Sequence, residues 1–265
     1  YKVYKRYIRN KYVTIKLKKG CADIMRMRDI HCHILPGLDD GSDSMEQSIR
    51  MIRKAYSRGV RAMIATPHFS PQFSRHEPEE ITQLCKKLEK TIWEQLGTRF
   101  RIHSGNEIFY STDTLELLKK EKILTLAGSR YVLLEFSTEI SWRELQRIVR
   151  EMEVAQYWPI LAHVERYSCL REPGRLEELR RIGVYLQING NSLAGGMFDQ
   201  RACWCRKQLM EKQVHFIASD MHNLTTRGAI SEKAESWLKK KLDPEYRKKI
   251  LWIYPGMVMS GRRIV

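Results

Sequence analysis

From Met27 onward the chain alternates short apolar runs with longer amphipathic stretches. The runs Arg28–Ile34, Val60–Thr66, Arg101–Glu107, Tyr131–Glu135, Trp158–His163, Val184–Asn189 and Val214–Ser219 are too short for helices, are rich in branched residues, and read as strands. Apolar positions three and four apart mark helices between them. Ser44-Met45-Glu46-Gln47 is a capping box, with Met45, Ile49 and Ile52 on one face and Gly59 as the stop. Pro78-Glu79-Glu80 opens a helix with the stripe Ile81, Leu84, Leu88, Ile92, after a loop of Pro, Ser and His. Ser141-Trp142-Arg143-Glu144 is a second capping box, for a helix predicted to reach Tyr157.

This alternation gives seven strand–helix units, with no internal repeat and no linker. It predicts an α/β fold, one domain over residues 27–265 built on a parallel sheet. Metal-type side chains recur at nearly every strand end, which favours a closed, distorted (β/α)7 barrel over an open sheet.

Composition narrows the class. The chain has 265 residues, 43% hydrophobic and 29% charged, as expected of a globular enzyme. No apolar run approaches the ~18 residues of a membrane helix. No apolar stretch follows the charged N-terminus, so no signal peptide is expected. Six scattered cysteines make no disulfide framework, and a cytoplasmic location with reduced thiols is the expectation. The net charge is +16, and residues 1–28 hold ten Lys/Arg against Asp23 alone, which is +9 of it. Residues 1–26 are therefore set apart as a basic N-terminal extension. Such an arm could touch nucleic acid or an anionic membrane surface. The preferred reading is an extension without a role. The remaining charge suits an enzyme that handles acidic, phosphorylated substrates.

The chemistry lies in six segments. They are Asp29-Ile30-His31-Cys32-His33, Thr66-Pro67-His68, Gly105-Asn106-Glu107, Leu134-Glu135-Phe136, Ala162-His163-Val164-Glu165-Arg166 and Ser219-Asp220-Met221-His222. In a strand, residues i and i+2 point the same way, so His31 and His33 can grip one ion. Imidazoles and carboxylates without thiolate suit manganese, iron or zinc. Singly, each His or Glu is better explained as a hydrogen-bonding or capping residue. Jointly they point to a metal-dependent hydrolase, because burying several carboxylates without a cation is expensive. His76, His103 and His215 lack this context and are read as structural.

These motifs resemble the PHP (polymerase and histidinol phosphatase) superfamily. Within it the chain is similar to the bacterial manganese-dependent protein tyrosine phosphatases of capsule and exopolysaccharide gene clusters. The resemblance rests on His31-Cys32-His33-Ile34-Leu35-Pro36-Gly37-Leu38-Asp39-Asp40-Gly41, Ala65-Thr66-Pro67-His68, Gly105-Asn106-Glu107-Ile108, Leu134-Glu135-Phe136-Ser137, Ala162-His163-Val164-Glu165-Arg166-Tyr167 and Ala218-Ser219-Asp220-Met221-His222-Asn223. It departs from the family before Met27 and at Tyr254-Pro255-Gly256.

The resemblance implies three divalent ions, manganese foremost with iron or zinc as alternatives. His31, His33, Glu107 and Asp220 would hold the first. Glu107, bridging, would hold the second with Glu135 and His163. Asp40, His68 and His222 would hold the third. Arg166 and Arg227 would bind the phosphoryl oxygens beside Asp220, while a metal-activated hydroxide attacks phosphorus. The implied substrate is phosphotyrosine on a protein partner, the C-terminal tail of a bacterial tyrosine kinase of polysaccharide export. The rivals are a histidinol-phosphate or other small-molecule phosphatase, and a nuclease or nucleic-acid-binding protein using the basic arm; a nucleic-acid partner is not expected.

Cys169-Leu170-Arg171-Glu172-Pro173-Gly174-Arg175 fits C-x5-R, the pattern of cysteine-dependent tyrosine phosphatases. That chemistry needs a cradle of backbone N–H groups and a depressed thiol pKa. Glu172 would repel a phosphate and Pro173 removes a donor, so the segment is read as a decoy. Cys32 should point away from the ligands, and Cys203 with Cys205 has no third soft ligand nearby.

Overall fold

The computed structural model describes residues 25–70 and 76–265. The basic extension up to residue 24, with Cys21 and Asp23, lies outside the described residues, as do five residues of the loop after His68. Among the described residues nine strands follow in order: β1 Met27–Cys32, β2 Val60–Ala65, β3 His68–Phe69, β4 Arg101–Ser104, β5 Glu107–Phe109, β6 Tyr131–Glu135, β7 Trp158–Leu161, β8 Tyr185–Asn189 and β9 Phe216–Ala218. The main helices are α1 Met45–Ser57, α2 Pro78–Leu96, α3 Thr114–Lys119, α4 Trp142–Val154, α5 Arg175–Arg181, α6 Gln200–Met210, α7 Glu232–Lys241, α8 Pro244–Lys248 and α9 Tyr254–Met259. Ser44 and Ser141 cap α1 and α4 through the N–H groups of Gln47 and Glu144. The second of these helices ends at Val154 rather than Tyr157.

All strand pairs are parallel, in the orders β1-β2-β4 and β3-β5-β6-β7-β8-β9. The run Arg101–Glu107 read from the sequence is split in two, and the run Val60–Thr66 is followed by a further short strand, β3. Thr66-Pro67 separates β2 from β3, since Pro67 has no N–H for the ladder. Gly105-Asn106 separates β4 from β5. There a Cβ would lie 2.9 Å from Leu126 Cδ2 and 3.1 Å from Ile64 Cγ2, so any side chain would force its neighbours to shift. The ring closes between β9 and β1, where Asp220 N donates to His31 O (2.9 Å) and His33 N to Met221 O (2.8 Å). The result is a curled parallel sheet in one mixed α/β domain, a distorted barrel of seven strand positions.

Ile30, Ile64, Leu133, Ile160 and Phe216 fill the barrel interior, and a larger apolar layer joins the sheet to the helices. The C-terminal segment closes the end where the strands begin. Tyr131 Oη donates to Arg262 O (3.1 Å) and accepts from Ile264 N (2.9 Å), while Tyr185 Oη donates to Ile264 O (3.0 Å). Tyr254-Pro255-Gly256 lies in α9 at this end, away from the ligands. With one end plugged, the open mouth is where the strands end.

Candidate metal centre

An irregularity in β1 shapes the mouth. Asp29 pairs with Met63 and Cys32 with Ala65, so β1 carries one extra residue. Ile30 can thus pack in the interior while His31, next in sequence, also faces the ligand cluster, which regular alternation would forbid. Cys32 turns to the outer layer and its Sγ donates to Ile64 O.

Glu107 is the focus. Its Oε2 stands 3.1 Å from His31 Nε2, 3.2 Å from His33 Nε2 and 3.1 Å from His68 Nδ1. Yet this buried oxygen makes no satisfied hydrogen bond among the described residues. Its Oε1 faces His163 Nε2 at 2.9 Å, and the same imidazole lies 3.3 Å from Glu135 Oε1. Asp220 Oδ1 adds to the first group, 3.4 Å from His31 and 3.5 Å from His33. Asp40 Oδ1 lies 3.3 Å from His68 Nε2 and 3.2 Å from His222 Nε2.

Three sets of ligand atoms converge: His31, His33, Glu107 and Asp220; His33, Asp40, His68 and His222; and His68, Glu107 and Glu135. Eight of the nine residues expected as ligands fall in these sets, and the ninth, His163, lies beside Glu107 and Glu135. The grouping differs from the one implied by resemblance: His33 also borders the Asp40 set, and His68 reaches Glu107 and Glu135. His163 approaches those two carboxylates without joining the tight third set. Ligands two residues apart on one strand, or just past a strand end, can serve two neighbouring positions, which spacing alone does not resolve.

An amide and a carboxylate fix the imidazoles of His31 and His33. Gln187 Oε1 accepts from the backbone N–H of His163 (2.9 Å) and lies 3.1 Å from His31 Nδ1. Gln187 Nε2 donates to Asn189 Oδ1 (2.8 Å), and Asn189 Nδ2 donates to Asp220 Oδ2 (2.7 Å). Since Asp220 can only accept, both amide orientations follow, and His31 Nδ1 must carry the proton. Asp39 Oδ2 sits 2.6 Å from His33 Nδ1 and accepts from His68 N (3.0 Å), while Gly41 N donates to its Oδ1. A side chain at Gly41 would collide with His33 and Asp39. Gln187, Asn189 and Asp39 are not among the residues expected from the sequence. Asp39 stands beside Asp40 in the first motif, and i, i+2 spacing on β8 is the signal that the two amides offer.

The electrostatics reflect crowding of opposite charges. Burial opposes charge on His33, but Asp39 and Glu107 outweigh it and raise its pKa to about 10. His163 rises to about 9 for the same reason, against burial and through Glu107 and Glu135. Burial works against ionised Glu107, yet the surrounding imidazoles hold its carboxyl well below the usual range. His222 goes the other way, to about 3, because burial and the neighbouring His33 charge disfavour its protonation. His163 and Asp220 adopt left-handed backbone (φ +33° and +50°), a strained conformation for such residues.

Both predicted arginines reach the cluster. Arg166 Nη2 donates to Asp220 Oδ2 (2.8 Å), and Nη1 lies 3.8 Å from Glu135 Oε1. Arg227 Nη2 bonds both Asp220 oxygens (3.1 Å each), and Nη1 bonds Asp40 Oδ2 (3.1 Å). His76, His103 and His215 lie outside the cluster. Cys169 is also outside it. Burial raises its thiol pKa, Arg175 pairs with Glu172 (3.1 Å) and covers the Trp142 ring, and Arg171 covers Trp204. No preformed thiolate cradle exists there.

Five imidazoles, four carboxylates and an unsatisfied buried carboxylate oxygen fit divalent cations of borderline hardness. A parallel barrel with such a cluster where its strands end belongs to the metal-centred α/β barrels, and closer kin can be named. The family described as "Capsular polysaccharide synthesis, CpsB/CapC" matches residues 27–260, and the chain belongs to that family. Tyrosine-protein phosphatase CpsB of Streptococcus pneumoniae is 32% identical over 244 residues, spanning 90% of this chain and 100% of CpsB. Tyrosine-protein phosphatase YwqE of Bacillus subtilis is 33% identical over 220 residues, 83% of this chain and 86% of YwqE. A solved structure from work on YwqE and CpsB, described as unique metal-dependent tyrosine phosphatases, superposes with a TM-score of 0.82. It is 30% identical and covers 90% of this chain and 96% of that one.

Proposed function

We propose that the chain is a metal-dependent protein-tyrosine phosphatase. In the finer reading its substrate is the phosphotyrosine-bearing tail of a tyrosine kinase that controls polysaccharide export, and its ions are three, manganese foremost. The observation that carries the reading is the meeting at Asp220 of two guanidinium groups with the imidazole–carboxylate cluster.

His31, His33, Asp40, His68, Glu107, Glu135, His163, Asp220 and His222 would hold the ions. Bound there, divalent ions would supply the charge that acidifies water and neutralises phosphoryl oxygens. The chain's own residues do the positioning. Gln187 and Asp39 keep the Nε2 lone pairs of His31 and His33 turned to the cluster. Arg166 and Arg227 offer paired N–H donors that match phosphoryl oxygens, and charge neutralisation is most of what phosphoryl transfer requires. Tyrosine leaves with a pKa near ~10, so it needs less help from a protein acid than an alkyl alcohol does.

The test is a kinetic comparison of phosphotyrosine peptide, histidinol phosphate and single-stranded DNA on the manganese-loaded chain. Preference for the phosphopeptide supports the reading. Preference for histidinol phosphate, or cleavage of DNA, replaces it with the corresponding rival.

A further inference from the structure

Phe198 and Met197 are 92% and 79% exposed, yet the loop that carries them is firmly tied. Arg206 of α6 donates Nη2 to Leu193 O (2.7 Å) and Gly195 O (2.6 Å) and Nη1 to Gly196 O (3.4 Å). Cys203 Sγ donates to Met197 O (3.0 Å), and Asp199 Oδ1 caps α6 through Ala202 N (2.9 Å). Loops normally place polar residues at such a tip, because exposed apolar area gains nothing from folding. A rigid loop presenting a ring and a thioether to water is a surface prepared for a partner.

Its place in the fold says which partner. The preceding strand, β8, ends at Asn189, which bonds Asp220 in the metal centre. A crossover helix starts on the face where the preceding strand ends, so the N-terminus of α6, and Met197 and Phe198 beside it, lie on the mouth face. Asn191 of the same connection donates to Gly228 O (3.0 Å) and Ala229 O (3.3 Å) and accepts from Ser231 N. This ties the loop to the segment carrying Arg227. Arg201, exposed at the start of α6, adds positive charge beside it.

We propose that Met197 and Phe198 form a docking ledge for the polypeptide of the protein substrate, receiving an apolar side chain that flanks the phosphotyrosine. The proposal rests on the phosphatase reading above. The connection that carries the ledge is hydrogen-bonded through Asn191 to the residues that follow Arg227, and the charge of Arg201 beside the ledge complements a phosphorylated chain. A free aryl phosphate is held by the centre with Arg166 and Arg227 and does not reach the ledge.

The experiment compares the full chain with its Met197→Ser/Phe198→Ser variant, manganese-loaded, on p-nitrophenyl phosphate and on two phosphotyrosine peptides, one with apolar flanks and one with Gly/Ser flanks. The variant should hydrolyse p-nitrophenyl phosphate as the parent does. Its kcat/KM on the apolar-flanked peptide should fall about tenfold through KM, erasing the parent's preference between the two peptides. Phe198→Leu should keep that preference. Equal peptide kinetics in parent and variant would overturn the proposal. So would unchanged peptide kinetics accompanied by loss of self-association in sedimentation, or by loss of binding to phosphatidylserine vesicles, which would assign the ledge to a second copy or to a membrane. A parent that hydrolyses neither phosphopeptide nor p-nitrophenyl phosphate would instead mark failure of the phosphatase reading itself.

Discussion

Gln187 Oε1 lies 3.1 Å from His31 Nδ1, and this contact decides which nitrogen of His31 faces the carboxylates. Gln187→Leu removes the acceptor and leaves a buried N–H unpaired. Metal affinity should fall ~10–100-fold in a chelator-competition titration. Gln187→Glu keeps the acceptor and should lose less. Equal affinity in all three proteins would show that the amide does not orient the imidazole.

Arg166 and Arg227 contact carboxylates of the cluster without being among its ligands. Arg166→Ala and Arg227→Ala should each lower kcat/KM on an aryl phosphate ~10²–10³-fold. Metal content, measured by atomic emission, should stay unchanged. Loss of metal with activity would reassign them as supports of Asp220.

Gly105 lies in the break between β4 and β5, two residues before Glu107. Gly105→Ala would press on Leu126 and Ile64 and should cost ~1–3 kcal/mol, read as a lower Tm. An unchanged Tm would mean that Leu126 yields freely.

His215 packs beside Tyr185, and burial together with Arg180 lowers its pKa to about 3. In the unfolded chain a histidine titrates near ~6.5. Between these values the unfolded state takes up a proton that the folded state refuses, so this group lowers stability as pH falls below ~6.5 and has no such effect above it. The Tm of His215→Gln should decline less than that of the parent between pH 7 and pH 4.5. Parallel curves would contradict the shift.

The legible parts of this fold were those with a local code. Capping boxes at Ser44 and Ser141, apolar runs, and charged or imidazole residues at run ends are set by neighbours in sequence. Helix α6 was passed over because only Ala202, Cys205 and Leu209 of its eleven residues are buried, too sparse a stripe to see. The breaks at Thr66-Pro67 and Gly105-Asn106 lie side by side, with Asn106 Nδ2 donating to Pro67 O across 39 residues, a contact that spacing does not encode. Gln187 and Asn189 carry no charge and no motif, and their role exists only once β8 lies between β7 and β9. The sharing of His33 and His68 between ligand sets likewise depends on side-chain positions that spacing does not encode.

The most direct test of the central claim is phosphotyrosine-peptide hydrolysis by the parent and by Cys169→Ser, each assayed as prepared, after chelation, and after manganese is restored. A metal-centred site predicts similar activity in both proteins, loss on chelation, and recovery with manganese. An inactive Cys169→Ser beside a parent indifferent to chelator would contradict the account and move the chemistry to the cysteine.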